Sequence, residues 1–242
     1  MHPFIERIFH FLLPPQCYCC EKFLEDDPQG ICRDCLSEIH WIGPPICSVC
    51  GRPFVSMEGE SHLCGDCITK KKYFTMARAL GSYEGSLQKA IHRWKYQGKT
   101  YFNPLFGEWM TEGLRRYWDP HLFDLLLPVP LHIQRLRERG FNQTLLLVKE
   151  LSLRTGIPYR RRLLQKKRAT VPQVNLDGIE REKEVKGSFY VRKEKDLEGK
   201  SILLVDDVYT TGATVNECSK VLLRGGAKRV DVLTLAHTMK TM

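Results

Sequence analysis

Leu203-Leu204-Val205-Asp206-Asp207-Val208-Tyr209-Thr210-Thr211-Gly212-Ala213-Thr214 is the stretch on which the reading of this chain turns. An apolar run ends at two acids, a short Thr/Gly-rich turn follows, and a helix starts at about Ala213. A strand apolar on both faces belongs to a parallel sheet covered on both sides. Its carboxyl end opens onto the crevice where such sheets bind ligands. Backbone N–H groups of residues 210–214, at a helix amino terminus, can cradle a phosphate. Thr210, Thr211 and Thr214 add hydroxyl donors, Ala213 opens the helix, and Gly212 lets the backbone approach closely. Asp206 and Asp207 would repel a phosphate, so they are expected to face ribose hydroxyls or a magnesium-bound edge.

Outward from this stretch, buried runs alternate with helical periods from Met76 onward. ARALGSY precedes a helix carrying Leu87, Ala90, Ile91 and Trp94. DLLLPVP comes next, then a helix after Gly140, then SILLVDD, the helix from Ala213, and RVDVLTLA. That alternation predicts an α/β domain with a parallel sheet over residues 76–242. Residues 166–187 are polar and long for a loop, a length usually tied to function or disorder. Gly98-Lys99-Thr100 resembles the end of a Walker A loop, but Arg93 stands where its first glycine is required.

Residues 1–75 have a different chemistry. Nine of the ten cysteines lie there, eight of them as Cys17-x2-Cys20, Cys32-x2-Cys35, Cys47-x2-Cys50 and Cys64-x2-Cys67. Two such turns complete one tetrahedral four-cysteine zinc site, so four imply two structural Zn2+ ions. Sequential pairing is simplest, and spacing alone leaves a crossed pairing open. Cys19 is left over. A module this small has little core and needs such staples. Ahead of it, Phe4, Ile5, Ile8, Phe9 and Leu12 recur at helical spacing. They suggest a short amphipathic helix that packs on the body of the protein or touches a membrane surface. Glu6, His10 and Pro14-Pro15 do not suit a secretory signal. The expected compartment is cytoplasmic and reducing, where cysteines bind metal rather than pair.

No apolar run is long enough to span a bilayer, and 43% apolar with 27% charged residues excludes wholesale disorder. The net charge of +9 is unevenly placed. Residues 1–75 carry 7 basic and 10 acidic side chains; the remainder carries 30 and 18. Residues 133–170 alone hold 11 basic and 2 acidic groups. They include Arg135, Arg137 and Arg139 before Gly140-Phe141-Asn142-Gln143, then Arg160, Arg161, Arg162, Lys166, Lys167 and Arg168. Guanidinium forks suit pyrophosphate or a nucleic-acid backbone. The first three are read as a cationic loop at the carboxyl end of the strand ending Pro128-Val129-Pro130-Leu131-His132. The second cluster is a candidate nucleic-acid contact. Phe141, Tyr159 and Tyr209 are candidate stacking groups. His237 reads as a structural strand-end residue.

The stretch 203–214 resembles the phosphoribosyl pyrophosphate (PRPP) signature of type I phosphoribosyltransferases. Four CxxC pairs, then PVPLH with RxRxRGFNQ, then VDDVYTTGAT, resemble the ComF (ComFC) competence protein family over nearly the whole chain. Trp94-Lys95-Tyr96-x-Gly98 is similar to that family's KYxG segment. Thr170, Gln173, Arg181 and Gly187-Ser188-Phe189 resemble its middle segment, where phosphoribosyltransferases carry a loop over the active site. Asn175-Leu176-Asp177-Gly178 departs from it.

The resemblance implies a double zinc ribbon followed by a phosphoribosyltransferase-type domain. It implies a role in natural transformation, handling single-stranded DNA on the cytoplasmic side, with a DNA translocase or helicase as partner. In a working transferase, magnesium would accompany PRPP and Asp206 and Asp207 would be catalytic. Residues 210–214 would hold the 5-phosphate, and Arg135, Arg137 and Arg139 the departing pyrophosphate. No acceptor is legible, so a magnesium-dependent transferase and a nucleotide-sensing interaction scaffold stand as alternatives.

Overall fold

The computed structural model describes residues 16–24, 30–54, 59–98, 100–167, 183 and 185–239. The amino-terminal helix expected around Phe4–Leu12 lies outside them. So do Arg168, Thr170, Gln173, Arg181 and the stretch 175–178.

The sheet is built on β5 (Ser201–Tyr209), flanked by β6 (Arg229–His237) on one side and β2 (Leu125–Pro128) on the other. With β1 (Ala77–Ser82) outside β6, the order is β1-β6-β5-β2, and every pairing is parallel. Ile202, Leu203, Leu204 and Val205 are fully buried because alternate side chains enter two cores. Leu203 and Val205 pack with helices α3 (Gly85–Tyr96), α4 (Phe102–Tyr117) and α6 (Gln143–Thr155). Ile202 and Leu204 pack with α7 (Ala213–Arg224). A sheet covered on both faces is what its uninterrupted apolar strands require.

β2 stops early for a chemical reason. Pro128 and Pro130 carry no N–H to continue the ladder. Val129 N donates the last bond, 2.9 Å, to Val205 O. β5 runs on to Tyr209, pairing only with β6, where Asp206 faces Thr234. The strand therefore does not end at its acids, as its apolar run suggested. It carries them past the end of β2.

Two further differences concern the basic segments. Ile133–Arg139 is a short helix, α5, and not a loop. His132 caps it by accepting from Gln134 N, and Gly140 closes it in the left-handed region at φ 77°. Arg135 and Arg137, two apart, therefore do not share one helix face. The polar segment after α6 is pinned at its ends by an antiparallel hairpin, β3 (Leu164–Lys166) with β4 (Phe189–Val191).

The cysteine module clasps the β1 edge. Ile42 N donates to Leu80 O (2.8 Å), Ser82 N to His40 O (2.9 Å) and Ala77 N to Val49 O (2.7 Å). These bonds cover the otherwise unpaired backbone of an edge strand. Cys17, Cys19, Ile31 and Cys35 join the core under α3 and α4; Cys47, Cys50, Cys64 and Phe74 join the core on the opposite face. Gly51 (φ 71°) permits the approach, since a Cβ there would lie 2.6 Å from Ala77 O. Short helices α1 (Arg33–Ser37) and α2 (Gly65–Thr69) start at the second turn of each cysteine group, capped by Cys32 and Cys64. Among the described residues no helix is long and apolar enough to cross a membrane.

Candidate functional site

The thiols gather as Cys17, Cys20, Cys32, Cys35 and as Cys47, Cys50, Cys64, Cys67, each set of sulfurs within 4.8 Å of one another. Sequential pairing is what the fold contains. Cys20 and Cys32 Sγ are 3.7 Å apart, and Cys50 and Cys64 Sγ 3.6 Å. A tetrahedron with zinc–sulfur bonds of about 2.3 Å has an edge of about 3.8 Å, so both sets fit structural Zn2+. Backbone amides donate to the sulfurs: Cys32 N to Cys17 Sγ (3.3 Å) and Cys64 N to Cys47 Sγ (3.4 Å). Arg52 pairs with Asp66 at 2.7 Å and ties the second centre together. Cys19 points elsewhere: its thiol donates to Ser86 O (3.7 Å), and burial pushes it up to about 12.

The acid pair sits where β5 outruns β2. Lys95 Nζ lies 2.8 Å from Asp207 Oδ1, with both side chains largely buried. Asp207 N donates to Asp206 Oδ1 at 2.9 Å. By accessible surface Asp206 is only half-buried, yet it is packed densely. Burial, together with the neighbouring Asp207 charge, pushes its carboxyl up to about 8, against the opposing pull of Lys95 and Lys166.

Lys95 lies in the Trp94–Gly98 segment, far in sequence from the acid it meets. Its backbone carbonyl accepts from Gln143 Nε2 at 3.4 Å. Gln143 is fully buried, and its Oε1 has no partner among the described residues. The WKYQG, RGFNQ and VDDV segments therefore meet at one lysine.

Beyond the acids, the turn 210–212 leads into α7. Thr211 Oγ1 accepts from Ala213 N (3.3 Å), and Asn216 N donates to Gly212 O (2.9 Å). The first amides of α7 lack helical partners, as those of any helix do. Gly212 sits at φ 76°, and a Cβ on it would lie 2.1 Å from Tyr209 Oη. Tyr209 is itself buried, stacked on His237 (centroids 4.7 Å) and edge-on to Phe74. It props the loop from beneath and is not available to stack on a base. His237 is structural: Nδ1 lies 2.8 Å from Thr238 O, and burial lowers the ring to about 4.

α5, with Arg135, Arg137 and Arg139, follows the carboxyl end of β2, the strand paired with β5. Arg160, Arg161 and Arg162 are exposed on the turn that leaves the β2 edge, where Tyr159 bridges Leu126. Lys166 lies over the Phe189 ring at 5.5 Å and Lys167 over Tyr190 at 5.3 Å. Lys166 opposes the upward shift of the Asp206 carboxyl.

A parallel sheet carrying an acid pair and a threonine–glycine turn at one strand end, clasped by two four-cysteine centres, defines a phosphoribosyltransferase-type domain with a double zinc ribbon. Family models agree: the double zinc ribbon domain matches residues 8–68 and the phosphoribosyl transferase domain residues 144–241. Competence protein F of Haemophilus influenzae is 28% identical over 226 residues, 92% of this chain and 96% of that one. The DNA utilization protein YhgH of Escherichia coli K12 is 32% identical over 231 residues, 94% and 99% of the two chains. The chain belongs to this competence protein F and YhgH family. Among solved structures, the Bacillus subtilis glutamine PRPP amidotransferase superposes with a TM-score of 0.37 at 20% identity, covering 55% of this chain and 25% of that one.

Proposed function

We propose that this protein handles single-stranded DNA on the cytoplasmic side of DNA uptake or utilization, through a domain that binds a PRPP-type phosphoribosyl ligand. The observation that carries the reading is the placement of Asp206 and Asp207 past the end of β2, next to the loop 210–214, with α5 leaving the end of β2. In this reading Asp206 and Asp207 meet the ribose hydroxyls, the loop takes the 5-phosphate, and the arginines of α5 take pyrophosphate. Lys95 already balances Asp207, so the residues suit a magnesium ion that arrives with the pyrophosphate better than one resident on the acids. The exposed Arg160–Arg162 turn extends the cationic face along which a nucleic-acid backbone runs. The zinc ribbon is the docking element for a DNA translocase or helicase. Cysteines gathered for metal suit a reducing compartment.

The test is a titration with single-stranded DNA at several salt concentrations, with and without PRPP and magnesium. Affinity falling steeply with salt, and competition by PRPP, are the expected results. A flat salt response contradicts the DNA reading. Consumption of PRPP in the presence of a base would instead favour an active transferase.

A further inference from the structure

A cavity of about 300 Å³ lies against the phosphate loop, and lysine dominates its walls. Lys70, Lys71 and Lys72 come from the chain just after the Cys67 ligand, Lys186 from the stretch before β4, and Lys220 from α7. Thr211, Gly212 and Ala213 also line it. These segments are fastened together. Tyr73 N donates to Asn216 Oδ1 (2.7 Å), Asn216 Nδ2 donates to Lys71 O (3.3 Å), and Lys70 N donates to Asp66 O (3.0 Å). The ammonium groups of Lys71 and Lys220 both sit over the Tyr73 ring, 5.2 and 5.7 Å from its centroid. The cavity's one carboxylate, Glu217, is already used: Gly187 N donates to it at 2.9 Å, and Lys220 pairs with it at 3.5 Å.

Leaving Lys70 aside, the other four lysines against one carboxylate leave a charge larger than one phosphate dianion neutralises. The volume is at the lower end of small-ligand pockets and exceeds a single phosphate. We infer that this cavity, built jointly by the ribbon and α7, binds a ligand with two or more linked phosphates. That chemistry is shared by a small polyphosphate and by a nucleic-acid backbone. The inference goes beyond the phosphoribosyl reading, since the acid pair takes no part in it. It also gives the second zinc centre a role in placing Lys70–Lys72.

The experiment uses the full zinc-loaded chain and the triple variant Lys71→Gln, Lys72→Gln, Lys220→Gln. Tripolyphosphate, a short oligothymidylate and ribose 5-phosphate are the probes, read by calorimetry and fluorescence anisotropy. The triple variant is expected to bind tripolyphosphate at least about tenfold more weakly, while ribose 5-phosphate binding is unchanged. If the oligonucleotide weakens too, with its salt slope flatter by about 2, the backbone is a source of the phosphates; if only tripolyphosphate weakens, the source is a small polyphosphate. Either result supports the site. Asp206→Asn with Asp207→Asn is expected to leave tripolyphosphate binding intact, so failure of the phosphoribosyl reading would not be mistaken for failure of this one. Wild-type protein that binds neither linked-phosphate probe, or a triple variant that binds both as the wild type does, overturns the inference. Equal loss of ribose 5-phosphate also overturns it, because the lysines would then serve the single-phosphate loop.

Discussion

Lys95 Nζ lies 2.8 Å from Asp207 Oδ1, joining the end of α3 to the carboxyl end of β5. The two side chains are only 12% and 15% exposed, so water screens the pair little. The lysine holds one member of the acid pair in position beyond the end of β2.

Removing one partner of such a pair strands the other. Lys95→Met is expected to destabilise the protein by about 3 kcal/mol in urea unfolding. Adding Asp207→Asn to that variant is expected to restore most of the loss, because no uncompensated charge remains. Equal stability of the single and double variants would show that the pair is solvated.

Asp206 gives a pH signature of defined sign. Its folded value is raised from 3.8 to about 8, chiefly by burial, so the native state keeps a proton that the unfolded chain gives up. Its contribution is complete below pH 4 and is lost as pH rises toward 8. Asp206→Asn has no such loss. The variant's stability relative to wild type is expected to climb between pH 4 and 8 and to level off above that, in thermal unfolding at each pH.

His237 acts in the opposite direction. Its folded value is lowered from 6.5 to about 4, chiefly by burial. The unfolded chain takes up the proton first, so stability is lost as pH falls from 6.5 toward 4. The loss is about 3 kcal/mol at pH 4. His237→Gln is expected to flatten this acid branch without changing ligand binding at neutral pH.

Gly212 is fixed by the ring beneath it. Gly212→Ala places a Cβ against Tyr209 Oη and holds a non-glycine residue at φ 76°. We expect a loss of at least about 1 kcal/mol and weaker binding of ribose 5-phosphate. Tyr209→Phe is not expected to rescue it, since the ring carbon Cζ would still lie 2.4 Å away.

Metal content separates the cysteines. Cys19→Ser is expected to retain two zinc ions per chain, because that thiol faces Ser86 O. Cys20→Ser is expected to lose one, because its sulfur is a corner of the first centre. Metal analysis of the purified variants checks both.

Much of this was legible in the sequence because it is local. Four CxxC turns carry their chemistry within a few residues, and the strand, acid pair, turn and helix of 203–214 are contiguous. What was not legible joins distant segments. Nothing in the sequence around Lys95 says that its amine reaches Asp207, or that lysines behind Cys67 reach the start of α7. The helix at Ile133–Arg139 was obscured by its alternating arginines, although His132 and Gly140 mark its caps. The β3–β4 hairpin is only three residues on each side, too short to show a period. Clasping of the β1 edge depends on carbonyl and amide groups that residue types do not reveal.

The central claim is that the acid pair and its neighbouring loop form a phosphoribosyl site. Calorimetric titration of PRPP with magnesium, on wild type and on Asp206→Asn with Asp207→Asn, tests it most directly. Saturable binding by the wild type that weakens at least about a hundredfold in the double variant, from the loss of two hydrogen-bonded contacts to the ribose, is the expected result. Binding of equal affinity in the two proteins would contradict it.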